Sequence, residues 1–352
     1  MLLSRTFHRS ILASVYLEYF MVSAVSAILL IRLFLEITGY PQIGGNTLHI
    51  AHMLWGGLLM LISIFLLLSF IGRTIENISA IIGGVGFGTF IDEIGKFITQ
   101  DNNYFYQPSV AIMYVIFIII LLVIRMIHQK SKYTSQEYLL NTIQELQEMV
   151  IDNLDKNEKK RALEYLDKSG YESPISENIR ELVVRTEQLP SPSLGMYQKI
   201  KYNLHSVYQK IVKLPIFNYF IILIFLFRFI TQFLYIVILL FFWRMGWDRI
   251  LNIQIFKDLS NTLTHLSFTE LAELISVSVS GIFTFLGIWF LPRSKLKAFR
   301  MFEKSILVSV FFTQVFIFYR EEFGALIGLT INLVILIGLK FMIRQETDPE
   351  TL

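Results

Sequence analysis

The chain has 352 residues, 54% of them hydrophobic and only 17% charged, with a formal net charge of +3. Soluble domains carry about a quarter charged residues, so this composition excludes an ordinary soluble globular protein, and no basic stripe is present that would suit a nucleic-acid partner. Cysteine is absent, which excludes disulfides, thiolate metal sites, iron–sulfur clusters and cysteine nucleophiles.

Apolar runs of about 20 residues, the length that crosses about 30 Å of hydrocarbon, recur along the sequence. They predict an all-α, polytopic membrane protein with about eight transmembrane helices, near 11–37, 48–71, 78–98, 108–127, 215–242, 269–291, 303–319 and 323–343. The first follows Arg5, His8 and Arg9, and Val25-Ser26-Ala27 has the small residues of a signal cleavage site. The apolar run continues to Leu35, too long for a signal h-region, so it is read as an uncleaved span. Arg32 and Glu36 lie toward its far end, and His49 and His52 open the second span, three residues apart and so on one helical face.

The third span reads GGVGFGTFIDEIGK over 83–96. On one helix Gly84, Gly88, Asp92 and Lys96 share a face. Small residues at that spacing let membrane helices approach closely. The expectation is a glycine ridge packed on a neighbour, carrying Asp92 and Lys96 into the protein interior. Asp92 four residues before Lys96 is the favourable order for an intrahelical ion pair, while Glu93 needs a separate partner. Gly-Val-Gly-Phe-Gly is also similar to the T-V-G-Y-G filter of potassium channels. A filter needs a pore helix entering from outside and four copies around an axis. Here Gly84 replaces the threonine and the run continues as helix-compatible sequence, so helix packing is the reading taken.

Basic residues orient the spans. Arg5 and Arg9, then Arg73, then Arg125, Lys130 and Lys132, then Arg293, Lys295, Lys297 and Arg300, and finally Lys340 and Arg344 all fall on one side if 78–98 is a full crossing. Both termini are then cytoplasmic.

Between spans four and five, residues 129–214 are polar and read as a small helical cytoplasmic module. Leu139, Ile143, Leu146, Val150 and Leu154 mark one amphipathic helix. Ser173-Pro174 starts another, faced by Ile175, Ile179 and Leu182, and LPSPS at 189–193 is a linker. The chain thus divides into a first transmembrane half (1–128), the module (129–214) and a second half (215–352). The halves read as parallel four-helix repeats. LIRLF at 30–34 echoes LFRFI at 226–230, and GFGTFIDEIGKF at 86–97 stands where FFTQVFIFYREEF stands at 311–323. Arg228 lies alone near the middle of span five, with Asp92 or Glu93 as its natural counter-charge. His265, Glu270, Glu273, Arg320, Glu321 and Glu322 add further polar groups to the second half.

GGVGFGTFIDEIGKF, DNNYFYQP and TQVFIFYREEF resemble segments of uncharacterised bacterial polytopic membrane proteins, along most of the chain. The resemblance implies the inner membrane of a bacterial cell and carries no assigned reaction or site residues.

Ionisable residues in spans are costly and mark functional sites. Three functions fit. A transporter or channel for an ion or small polar solute would use Asp92, Glu93, Lys96, Arg32, Glu36 and Arg228, with a His–carboxylate cluster able to load protons. A metal-dependent hydrolase of a lipid-type substrate would hold zinc or iron on His49 and His52, with Glu93 as base. A sensor or assembly scaffold would act through 129–214 on a cytoplasmic partner. Beyond the lipid bilayer, the sequence also admits a homo-oligomer and gives no nucleic-acid partner.

Overall fold

The computed structural model of the chain describes residues 8–39, 52–100, 106–128, 133–150, 155–170, 174–186, 195–212, 214, 217, 219–231, 234 and 267–347. Among the described residues every regular element is helical, and six helices are long and apolar enough to cross a membrane. Many large apolar side chains on them point outward, among them Leu54, Phe65, Leu68, Phe227 and Ile327. In water these would form a forbidding apolar surface.

The chain forms two compact units. Unit 1 comprises residues 1–106 and 116–194, and unit 2 comprises 107–115 and 195–352. Unit 1 contains α1 (Ala13–Thr38), α2 (His52–Ser69), α3 (Arg73–Asp92), the short α4 (Ile94–Ile98) and the later part of α5 (Pro108–His128). It also holds α6 (Ser135–Val150), α7 (Lys156–Ser169) and α8 (Pro174–Arg185). Helix α3 is its centre. A Cβ on Gly84 or Gly88 would overlap the carbonyl oxygens of Phe20 or Ala24 on α1. On the opposite side, a Cβ on Gly86 would lie 2.8 Å from both the Gly56 oxygen and the Met60 nitrogen of α2. Glycine is therefore required for two backbones to touch α3 at once. The paired positions rise together on α1 and α3 (Gly88 at Ala24, Asp92 beside Arg32), so these helices run parallel. They run in opposite senses on α2 and α3, where Ser63 Oγ donates to Ser79 O at 2.7 Å and the Met53 N–H donates to Glu93.

Helices α6 to α8 pack around Ala162, Leu166, Ile179 and Val183, with Leu139, Leu146 and Leu163 against them. Asp155 caps α7 in a reciprocal capping box with Glu158, and Gly170 ends it in the left-handed conformation. The expected apolar faces are only partly right. Ile143 and Val150 of α6, and Ile175 and Leu182 of α8, are exposed. The buried side of α6 instead carries Glu137, Asn141, Thr142 and Glu145, because it meets arginines and main-chain groups of the transmembrane part. Arg9 binds Glu137 with Nε–Oε1 and Nη2–Oε2 both at 2.8 Å. Asn141 accepts from Ile11 N and donates to Arg9 O. Arg73 holds Glu145 at 2.7 Å and also pairs with Glu158. The guanidinium of Arg9 keeps the Glu137 carboxyl down at about 2, and burial opposes this only in part. Leu154 and Ser173 lie outside the described residues.

Unit 2 contains α9 (Met196–Val212), α10 (Tyr219–Thr231), α11 (Phe268–Phe290), α12 (Lys295–Val308), a π-helix (Ser309–Thr313), α13 (Gln314–Glu321), a 3-10 turn (Glu322–Gly324) and α14 (Ala325–Thr347). The helix expected as a seventh span from 303 begins at Lys295. Ser294 caps it by accepting from Lys297 N, so Lys295, Lys297 and Arg300 belong to the helix, with Ala298, Phe299 and Phe302 buried beside them. It continues through the π-helix and α13. The chain then turns at Glu322, whose φ of 49° is unusual for a side-chain-bearing residue. Of the expected fifth span, α10 falls among the described residues and most of the rest lies outside them.

Candidate functional site

The break between α3 and α4 builds the site. Helix α3 ends at Asp92, Glu93 forms the turn (φ −90°, ψ 10°), and α4 restarts at Ile94. Two consecutive carboxylates therefore leave the chain in different directions. Both are fully buried, at 0% exposure.

Asp92 continues the Gly84–Gly88 face, as the spacing predicts, and so meets α1. Its Oδ1 accepts from Arg32 Nε at 2.6 Å, and its main-chain oxygen from Arg32 Nη2 at 3.1 Å. Its Oδ2 lies 3.2 Å from His52 Nε2 on α2. Glu93 faces α2 instead. Its Oε2 accepts from the Met53 N–H at 2.8 Å, an unsatisfied donor of the first turn of α2. His52 Nδ1 is 3.6 Å from Glu93 Oε1, and Lys96 Nζ pairs with that same oxygen. The expected Asp92–Lys96 pair within one helix is thus replaced: Lys96 closes on Glu93, because the turn at Glu93 takes Lys96 off the face that Asp92 shares with the glycines.

The result is Arg32, His52, Asp92, Glu93 and Lys96 in one network drawn from α1, α2, α3 and α4. With both carboxylates ionised and Arg32 and Lys96 protonated, the set is neutral with a neutral histidine and carries one positive charge with an imidazolium. A neutral ring donates through one nitrogen only, whereas an imidazolium donates through both. The proton on His52 thus decides whether one or both carboxylates receive a hydrogen-bond donor from the ring. The acids lie deepest, and the side chains of Arg32, His52 and Lys96 keep 15%, 26% and 20% of their surface open.

The other expected residues fall elsewhere. Glu36 is exposed, one turn beyond Arg32 on α1. His49 and His265 lie outside the described residues, and among the described residues no group of three or more histidine and acidic side chains could hold a metal ion. Arg228 takes neutral partners within unit 2 in place of Asp92 or Glu93: Nη2 donates to Ser309 Oγ at 2.6 Å and Nη1 reaches Asn332 Oδ1 at 3.4 Å. Arg320 pairs with Glu273 at 2.7 Å and Glu321 at 2.9 Å. Arg320 and Glu273, with Gln107, Ser267, Thr269 and Glu270, border a cavity of about 120 Å³.

Sequence reasoning missed a buried hydroxyl network in unit 2. Ser280 Oγ meets Ser309 Oγ at 3.0 Å and Ser305 Oγ at 2.9 Å, Thr284 Oγ1 meets Ser305 Oγ at 2.8 Å, and Ser276 Oγ meets Thr313 Oγ1 at 3.0 Å. Its signal was present in the four-residue spacing of Ser276, Ser280 and Thr284, and of Ser305, Ser309 and Thr313.

Comparison with protein-family models, with curated proteins and with solved structures returns no match.

Proposed function

We propose that the chain is a multi-pass membrane transporter or channel for an ion or small polar solute, with Arg32, His52, Asp92, Glu93 and Lys96 as its exchange site. The eight-span, two-half topology and the bacterial inner membrane belong to the same proposal. What supports it is the fully buried pair Asp92–Glu93 at a helix break, with two cations and a histidine as partners that are themselves part-exposed. Buried carboxylates cost free energy unless balanced, and a rigid scaffold alone is built more cheaply from apolar contacts. A balanced set that a single proton on His52 unbalances is suited to binding and releasing a cation.

The test uses protons as the probe. Purified protein is reconstituted in liposomes containing a pH-sensitive dye, and a potassium-diffusion potential is imposed. The wild type is expected to dissipate the potential through proton movement faster than empty liposomes. Asp92→Asn should abolish this while remaining monodisperse, because the amide oxygen still accepts from Arg32. Wild-type flux no faster than empty liposomes, or undiminished flux in Asp92→Asn, would sink the reading.

One observation favours a second role, as a scaffold. With α6 docked through its polar side, Ile143, Val150, Ile175, Leu182 and Val184 are left exposed on the α6–α8 module. That is an apolar surface suited to a cytoplasmic protein partner.

A further inference from the structure

In unit 1 the interior cations have acids: Arg32 has Asp92, Lys96 has Glu93, and Arg73 has Glu145 and Glu158. Arg228 on α10 breaks the pattern. Among the described residues its guanidinium forms no ion pair, and both its side-chain acceptors, Ser309 Oγ and Asn332 Oδ1, are neutral. A guanidinium carries five N–H donors and cannot shed its charge. An uncompensated cation inside a span is costly, so such a residue normally has a counter-charge.

The surroundings are rich in donors. Ser309 starts the π-helix, a departure from α-geometry that recurs at functional sites. It is bonded through Ser280 to Ser305 and Thr284, all essentially inaccessible to solvent. Each hydroxyl can turn its proton either way, so Ser309 can redirect its O–H at little cost. Asn332 brings an amide group whose NH2 is a further donor.

We propose that Arg228, Ser309 and Asn332 form a binding site for a small monovalent anion of the halide class. One guanidinium supplies one positive charge, and hydroxyl and amide donors complete a shell for a spherical anion. No second cation among the described partners of Arg228 would balance a doubly charged phosphate. This site lies wholly within unit 2 and is independent of the carboxylate site of unit 1.

The experiment uses full-length protein in detergent, with chloride as the probe. Its thermal unfolding midpoint is followed while sodium chloride replaces sodium gluconate at constant ionic strength. A ligand that binds only the folded state raises that midpoint saturably. The wild type should show this rise, and chloride line broadening in NMR should give the same apparent Kd. Arg228→Gln should weaken the apparent Kd by about tenfold or more, the consequence of losing a charge-assisted hydrogen bond. Ser309→Ala should weaken it less. No chloride-specific rise in the wild type, or an equal rise in Arg228→Gln, would overturn the proposal. If Arg228→Gln does not fold, Ser309→Ala decides: an unaltered chloride Kd overturns the site. Proton flux is read separately, so failure of the anion site and failure of the transport reading are distinguishable.

Discussion

Each unit packs one helix between a parallel and an antiparallel neighbour, but the two units fill the contact differently. In unit 1, α3 approaches α1 and α2 through Gly83, Gly84, Gly86 and Gly88, and the stripe ends in buried ions. In unit 2, α12 and its π-helical continuation meet α11 through Ser305, Ser309 and Thr313 facing Ser280, Thr284 and Ser276. They run beside α10 through Phe302 on Phe225 and Ser309 on Arg228. Glycine allows backbone contact and leaves the polar work to the helix end, whereas serine and threonine distribute it along the helix in hydrogen bonds of modest individual strength. Unit 1 should therefore be sensitive at a few positions, and unit 2 should tolerate single losses.

The largest effect is expected at Asp92. Asp92→Ala leaves Arg32 without its carboxylate in the interior, and breaking a buried pair costs about 3–5 kcal/mol. Chemical or thermal unfolding in detergent measures it. Replacing both partners, Arg32→Met with Asp92→Leu, should recover a large part of that stability without recovering proton flux. That separation sharpens the comparison, since a purely structural pair would lose nothing else. Gly88→Val comes next. Its added side chain meets the Ala24 backbone, which cannot rotate away, so overpacking should cost about 1–3 kcal/mol.

A smaller effect follows from Glu137. The Arg9 guanidinium holds its carboxyl down at about 2 in the folded chain, below its ordinary value of 4.5. A depressed carboxylate adds stability that is present above the unfolded value and lost as pH falls from about 4.5 toward 2. With Arg9 partly open to solvent and its charge screened, the contribution is on the order of 1–2 kcal/mol. Glu137→Gln should flatten that acid limb, as read by protease sensitivity of α6–α8 across pH. The smallest effect is expected in unit 2. Ser280→Ala removes one member of a hydroxyl set whose other hydroxyls can turn to new partners, so about 1 kcal/mol is expected. A loss at Ser280 as large as that at Asp92 would break the comparison.

Much of this was legible in the sequence where a single helix carried the information. The Gly84–Gly88–Asp92 face is correct because α3 stays regular that far. Lys96 was misplaced because nothing in the local pattern announces a turn at Glu93, which is fixed by contacts with α2. The faces of α6 and α8 were read from apolar spacing, yet Glu137, Asn141 and Glu145 turn inward because arginines distant in sequence receive them. Arg228 was expected to seek an acid, and tertiary packing gave it Ser309 and Asn332. In each case the deciding partner came from another element, which periodicity cannot supply.

The docking of α6–α8 has a further consequence in terms of helix dipoles. Arg9 precedes α1 and Arg73 opens α3, and these parallel helices place their positive N-terminal poles at one end of unit 1. An arginine there is electrostatically misplaced. Glu137, Glu145 and Glu158 bring negative charge against that end. The polar helices therefore act as a counter-ion to this end of the apolar helices, and separating them would take these three carboxylates away from two arginines and two positive poles.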